Sequence, residues 1–132
     1  MKNVEILKYD DIDFHDSSLL SIDLKPTLDE IEVKLNIQDG RSVVISFRKI
    51  LSFFYETTGF GMPEIFPVEI YEIYLLREEK YSRWLNRLEE LGSNEGSLYN
   101  IILASSYYQG WGENNSLEGL DIVCKELDIC VN

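Results

Sequence analysis

Histidine and cysteine, on which many catalytic and zinc sites depend, are scarce in this sequence of 132 residues. It has one histidine, His15, and two cysteines, Cys124 and Cys130. Zinc needs three or four converging ligands of these types, so we expect no bound metal and no cofactor. The two cysteines share one strand-like segment, in which about 3.3 Å per residue would place their Cα atoms about 20 Å apart, too far for a disulfide. Free thiols predict a reducing, cytoplasmic location.

Basic residues are also few. Twelve lysines and arginines stand against 24 aspartates and glutamates, which gives a formal net charge of −12. Such a surplus repels nucleic acids and anionic membrane surfaces, and it speeds the encounter with basic proteins. No stretch approaches the roughly 18–20 apolar residues of a membrane span, and the acidic N-terminus lacks the apolar run of a signal peptide. We therefore expect a basic protein partner, with no binding to nucleic acid or membrane.

One hairpin is strongly indicated. Residues 30–37 alternate strictly between polar and apolar, as in a half-buried antiparallel strand, and the alternation resumes over residues 42–47. A two-residue turn at Asp39-Gly40 would put the two apolar rows on opposite faces of the sheet. A three-residue loop with Gly40 in a left-handed G1 bulge keeps the rows together, and we predict this loop. It pairs Leu35 with Val43 and Val33 with Ile45.

The remaining segments predict a single domain over residues 1–132. Leu20, Ile22 and Leu24 indicate the inner face of a strand before the hairpin, so three strands form a meander. Arg77 to Leu91 spaces its apolar residues three and four apart and is followed by Gly92, which predicts one amphipathic helix. The expected fold class is α+β, mainly β, with an antiparallel sheet for which a sandwich-like arrangement is left open. Ile50–Tyr55 is expected to continue as a bent strand or a short turn, and further strands are predicted at Val68–Leu75, Tyr99–Tyr108 and Leu120–Ile129.

Phe14-His15-Asp16-Ser17 is the most distinctive short motif. In one interpretation His15 is a general base, oriented by Asp16 or another carboxylate, in a hydrolase. Adjacent residues of an extended chain point to opposite sides, however, so His15 and Asp16 need not meet. In the interpretation that we prefer, Phe14 anchors the start of a strand, while Asp16 and Ser17 satisfy backbone amides. We therefore expect a binding protein without catalytic residues.

Acidic and aromatic side chains supply the candidate contacts to a basic partner. Tyr108 and Trp111 lie among glycines in a loop-like segment and are the expected aromatic anchors. Together with Tyr107 they also support an alternative, in which the aromatic loop binds a small ligand. The sequence leaves the oligomeric state open. The candidate anionic contacts are Glu64, Glu69, Glu72, Glu113 and Glu118.

A resemblance rests on Phe14-His15-Asp16-Ser17 and on Leu19-Leu20-Ser21-Ile22 shortly after it. There the chain resembles a family of small bacterial domains that share a Phe/His-Asp-Ser start, an Asp-Gly hairpin and a final strand like Leu120–Ile129. Some of these domains look like immunity proteins of polymorphic toxin systems. The resemblance implies an immunity-type inhibitor that binds a basic toxin domain, and it implies no catalytic residue.

Overall fold

The described part of the chain is all β. The computed structural model describes residues 4–27, 29–55, 68–76, 99–104 and 119–132. These residues form one eight-stranded sheet in which every neighbouring pair is antiparallel. No helix with the length and hydropathy of a membrane span occurs in these ranges. The strands are β1 (Val4–Ile6), β2 (Ser17–Leu24), β3 (Glu30–Asn36), β4 (Ser42–Tyr55), β5 (Val68–Ile70), β6 (Glu72–Leu76), β7 (Tyr99–Ala104) and β8 (Leu120–Val131).

The hairpin between β3 and β4 has the predicted register. Leu35 pairs with Val43, and Val33 pairs with Ile45. The Gly40 backbone has a φ of 94°, and its N–H donates to the carbonyl of Ile37 at 2.9 Å. The three-residue loop with a left-handed glycine is therefore confirmed, and it places both apolar rows on the core face.

Gly40→Ala tests this loop. Because the positive φ disfavours any Cβ, we expect the free energy of unfolding to fall by about 1–2 kcal/mol in urea denaturation. No other atom lies within 4 Å of the position that an added Cβ would occupy, so the cost is one of backbone conformation alone. Gly40→Asn is the matched control and should lose less, since asparagine tolerates this region better. Equal losses in the two variants would point to another cause.

The inner face predicted for β2 is partly wrong. Leu24 pairs with Ile31 as expected, but Leu20 and Leu24, both predicted to face inward, are 37% and 40% exposed, while Leu19 is 0% exposed. The register shifts between Leu19 and Ser21, so Leu19 enters the core and Leu20 turns outward. Because Leu19 and Leu20 are adjacent, the alternating pattern is compatible with either of them facing the core. The bulge decides which one does, and the pattern does not predict where a bulge occurs.

The two ends of the sheet meet. The strand order is β1-β6-β7-β8-β4-β3-β2-β5, and only Tyr71 separates β5 from β6. The Tyr71 N–H donates to the carbonyl of Ala104 at 2.8 Å, while its carbonyl accepts the Asp16 N–H at 3.1 Å. Residues 68–76 thus bond to β7 on one side and to β1 and β2 on the other. The sheet curls until it closes, and the core lies inside it.

The sheet bends where the long strands β4 and β8 pair. Lys49 has a φ of 55°, and the pairing of β4 with β8 shifts between Ile50 and Ser52. Bulges of this kind increase twist and let a sheet curl. The bend thus brings both halves of the sheet around one core. Its completely buried large side chains include Phe14, Phe47, Leu19, Ile45, Ile73 and Leu103.

The α+β fold class is a wrong prediction for the described residues, which are all β. That class rested on the periodicity of Arg77–Leu91, a segment that lies outside them. The β-branched and alternating segments within the described ranges form strands, in keeping with the mainly β part of the prediction. Cys124 and Cys130 are both free thiols, as predicted.

Candidate functional site

The Phe14–Ser17 motif ends the connection from β1 to β2. This connection, residues 7–16, turns at Asp10, whose φ is 49°, and Tyr9 and Ile12 form an isolated bridge. Three buried side chains attach it to the core, namely Leu7, Ile12 and Phe14. Phe14 is 0% exposed, so its predicted role as an anchor is confirmed.

The backbone of the motif is not extended at Asp16, contrary to the expectation from the sequence. Its φ of 54° is left-handed, and the next hydroxyl, Ser17 Oγ, donates to the Phe14 carbonyl at 2.6 Å. Side chains alternate only along extended backbone. His15 and Asp16 therefore meet, with Nε2 and Oδ2 3.3 Å apart. The expected bond from Ser17 to a backbone amide is replaced by this bond to a carbonyl.

His15 lies among three carboxyl side chains. Its Nδ1 is 3.5 Å from Glu72 Oε2, and its backbone N–H donates to Asp13 Oδ1 at 3.0 Å. The imidazole also contacts the Tyr71 ring edge-on, with the centroids 4.8 Å apart. The closed sheet brings Glu72 to the motif, because Tyr71 binds the Asp16 backbone.

This geometry does not favour a hydrolase centred on His15. Each ring nitrogen faces a carboxylate oxygen, Asp16 on one side and Glu72 on the other. A general base needs a ring nitrogen placed to accept a proton from a substrate, whereas both ring nitrogens of His15 are directed at carboxylates of the protein itself. The arrangement positions carboxylates better than it activates a nucleophile.

Glu72 is the acid of this site that is removed from solvent. It is 5% exposed, and its Oε1 accepts the Ile73 N–H at 3.3 Å. Burial raises the pKa of the Glu72 carboxyl above its usual value, and the negative charge of Asp13 adds to the rise. The Ile73 N–H and His15 act in the opposite direction without cancelling the pKa shift. Keeping this carboxyl charged therefore costs stability.

Glu72→Gln tests that cost. Since the folded-state pKa of Glu72 is raised, the folded state holds its proton more tightly than the unfolded state does. Wild-type stability should therefore fall relative to the variant as pH rises through that folded pKa. We expect the advantage of Glu72→Gln in free energy of unfolding to grow from about pH 4 to pH 7. Urea denaturation measures it, with Glu69→Gln as the control for loss of an exposed charge; an advantage that shrinks with pH would contradict the account.

A cavity of about 360 Å³ adjoins Glu72. Its buried wall is apolar, formed by Leu7, Ile12 and Phe14, and the partly exposed Ile6 extends it outward. Asp10, Asp11 and Asp13 are exposed and lie along the same cavity, as does Lys8. The cavity therefore combines an apolar interior, one buried carboxyl group and an acidic mouth.

Several acids elsewhere on the sheet are paired with lysine or arginine. We call the following the paired-charge patch: Lys25 with Asp23 and Glu32, Arg48 with Glu30 and Asp128, and Lys49 with Glu126, at 2.9–3.8 Å. Near the hairpin loop, Arg41 similarly binds Asp11 and Asp39.

A second set of acids lacks such partners. We call Asp10, Asp13, Asp16, Glu69 and Glu72 the motif acids. Within the described residues, no salt bridge joins any of them to a lysine or arginine, and the His15 side chain faces two of them, Asp16 and Glu72. Among the described residues, negative charge without a lysine or arginine partner therefore gathers around the motif.

The structure brings together only some of the predicted contact residues. Glu72 lies beside the motif, and Glu69 is exposed on β5, where it pairs with Ser18 at the start of β2. No group of three or more His, Cys, Asp or Glu side chains suited to a metal occurs in the described ranges. The other predicted contacts lie outside the described residues, as does the aromatic loop of the ligand-binding alternative: Glu64, Tyr107, Tyr108, Trp111, Glu113 and Glu118.

Sequence reasoning missed the cavity and the role of Tyr71. Ile6 and Leu7 precede the motif without any periodic pattern, and Tyr71 sits inside what reads as one strand. The signal that was present is the acidic run at Asp10, Asp11 and Asp13 directly before the motif. It marks the mouth of the cavity but not its apolar wall.

Comparisons with known proteins support the fold alone. Neither a protein-family model nor a curated protein matches the sequence. A crystal structure of an uncharacterized protein from Neisseria gonorrhoeae is similar, with a TM-score of 0.54 and 17% sequence identity. The match covers 88% of this chain and 91% of the other. At this identity the similarity concerns the architecture of the sheet and not its use.

Proposed function

We propose that this protein is an acidic protein-binding module, an immunity-type inhibitor that binds a basic toxin domain through the motif acids. The supporting observation is the contrast between two surfaces of one molecule. Acids of the paired-charge patch are bound to lysine or arginine, whereas no salt bridge within the described residues joins a motif acid to either. A basic partner would find uncompensated charge at the motif.

Electrostatic steering is the first part of the mechanism. The net charge of −12 attracts a basic domain from a distance, and the motif acids orient it during the final approach. The acids of the paired-charge patch contribute less, because each would have to exchange an existing partner. Binding then covers the surface of the toxin domain and blocks its access to substrate.

A rigid support makes the motif suitable for such contacts. Phe14 is buried, the Asp16 backbone is tied to Tyr71, and Asp16 Oδ2 accepts a hydrogen bond from Gln38 Nε2 at 3.3 Å. Carboxylates held in place lose little conformational entropy when they are bound. His15 acts here as a positioning residue for the carboxylates on both its sides.

The direct test is to identify any basic toxin domain encoded by a neighbouring gene and to mix that domain, once purified, with this protein. We expect a stable complex in size-exclusion chromatography with light scattering, and loss of the toxin activity when the two are present in equal amounts. Replacing Asp13 and Asp16 by asparagine should weaken both. The matched control replaces Asp23 and Asp128 of the paired-charge patch and should weaken them less. Full inhibition by the first variant, or equal weakening by the two, would refute the proposal.

A further inference from the structure

We propose that the cavity beside Glu72 receives one arginine side chain of the protein partner, and this inference rests on the proposed function. The cavity opens among the motif acids, since Asp10, Asp13 and Glu72 all line it. It gives the acidic surface a specific point of attachment. Electrostatic steering attracts any basic protein, whereas a cavity distinguishes one type of side chain from another.

The walls suit the stem of a long side chain. Leu7, Ile12 and Phe14 are buried and line the cavity, and Ile6 is exposed at its edge. An arginine side chain carries apolar methylene groups behind its charged head and buries them along such surfaces. A volume of about 360 Å³ is near the lower limit of small-molecule pockets, which run from about 300 to 1,000 Å³. One extended side chain suits a cavity of this size.

The carboxyl groups suit the head of that side chain. Glu72 lies at the buried wall, and Asp10 and Asp13 are exposed on the same cavity. Asp11 also lines it, but this side chain already binds Arg41 at 3.3 Å. Lys8 also lines the cavity and His15 Nδ1 lies 3.5 Å from Glu72 Oε2, but neither basic group forms a salt bridge with Asp10 or Asp13 among the described residues. Negative charge thus exceeds positive charge around the cavity.

Glu72 supplies a second, independent observation. Burial raises the pKa of its carboxyl, so the folded chain carries a stability cost there. A glutamine or leucine would avoid this cost. A guanidinium entering the cavity would bring a positive charge to the buried carboxylate and offset the cost in the complex.

Arginine fits better than the other cationic ligands. Its planar guanidinium presents five donors, so it can reach Glu72 and a mouth aspartate at once while lying against an apolar wall. The lysine ammonium is more strongly hydrated than the guanidinium, so moving it from water into a half-apolar cavity costs more free energy. A metal ion would require closely grouped ligands, and the described residues hold no such group.

The experiment titrates ¹⁵N-labelled protein with Nα-acetyl-arginine N-methylamide and follows amide shifts by NMR. We expect saturable shifts in residues 6–14 and at Glu72. Citrulline of the same capped form should give none, since it lacks the charge, and capped lysine should bind more weakly. Free L-arginine should also bind more weakly, because its α-carboxylate meets the acidic mouth.

Variants locate the binding. Glu72→Gln and Asp13→Asn should each weaken binding of capped arginine by about tenfold, as expected for the loss of one hydrogen-bonded charge. Asp29→Asn removes an exposed charge outside the cavity lining and should leave the affinity unchanged. Equal binding of citrulline, shifts outside residues 6–14 and Glu72, or no shift at the solubility limit would overturn the inference.

The result separates this inference from the proposed function. Binding of capped arginine in the cavity, together with a toxin domain that does not bind, would retain the arginine site and refute the inhibitor. A toxin complex that is insensitive to Glu72→Gln and Asp13→Asn, with no binding of capped arginine, would retain the inhibitor and refute the arginine site.

Discussion

Phe14→Ala is expected to reduce the free energy of unfolding by about 3–5 kcal/mol, the usual cost of removing a buried phenylalanine. Phe14 is 0% exposed, and it holds the connection of residues 7–16 against the core. Its removal leaves a cavity beneath the motif and withdraws the support of His15 and Asp16. Natural domains have only about 5–15 kcal/mol of stability, so this single change should remove a large share of it. Urea denaturation followed by circular dichroism measures the loss.

Two further variants make the result interpretable. Phe53→Ala removes the same side chain from β4, where it is 44% exposed, and should cost much less. Phe14→Leu keeps most of the volume, so it should lose less than about 1.5 kcal/mol and stay folded. Similar losses for Phe14→Ala and Phe53→Ala would show that the motif is not anchored as described.

Neutralising four of the motif acids should slow association with the basic partner by about tenfold or more at low salt. The variant carries Asp10→Asn, Asp13→Asn, Asp16→Asn and Glu69→Gln, which changes the net charge from −12 to −8. The effect is expected because these exposed acids have no lysine or arginine partner among the described residues. Stopped-flow fluorescence at about 10 mM and about 150 mM salt measures the rates, since the screening length shrinks from about 30 Å to about 8 Å between them.

A variant of the same net charge provides the control. It replaces four exposed acids outside the motif, so that the overall attraction falls equally: Asp23, Asp29, Glu126 and Asp128. This variant should associate faster than the motif variant at low salt, and the difference should narrow at high salt. Identical rates would mean that net charge alone governs association and that the motif has no special part in it.

The register of the β3–β4 hairpin could be predicted from the local sequence pattern alone. Strict alternation along residues 30–37 and a glycine in the loop leave one register that buries both apolar rows, and Leu35 does pair with Val43. Every constraint in that argument lies within a few residues along the chain. The same holds for the pairing of Leu24 with Ile31.

The features that local pattern did not reveal depend on distant contacts or on single backbone angles. Tyr71 closes the sheet because its backbone bonds to Ala104 and Asp16. The periodicity of a sequence does not predict contacts between segments so far apart along the chain. Glu72 meets His15 only as a result of that closure. Asp16 meets His15 because its φ is positive, which an extended-chain argument does not foresee. The motif was therefore visible in the sequence, while the carboxylates around it were not.

Amide hydrogen exchange of the protein alone and in complex with the basic toxin domain tests most directly whether the motif acids form the binding surface. The account predicts slower exchange on binding in residues 9–16 and 69–72. It predicts little change in residues 44–49 and 126–130, which include much of the paired-charge patch. Slower exchange confined to residues 44–49 and 126–130, with residues 9–16 unchanged, would contradict it.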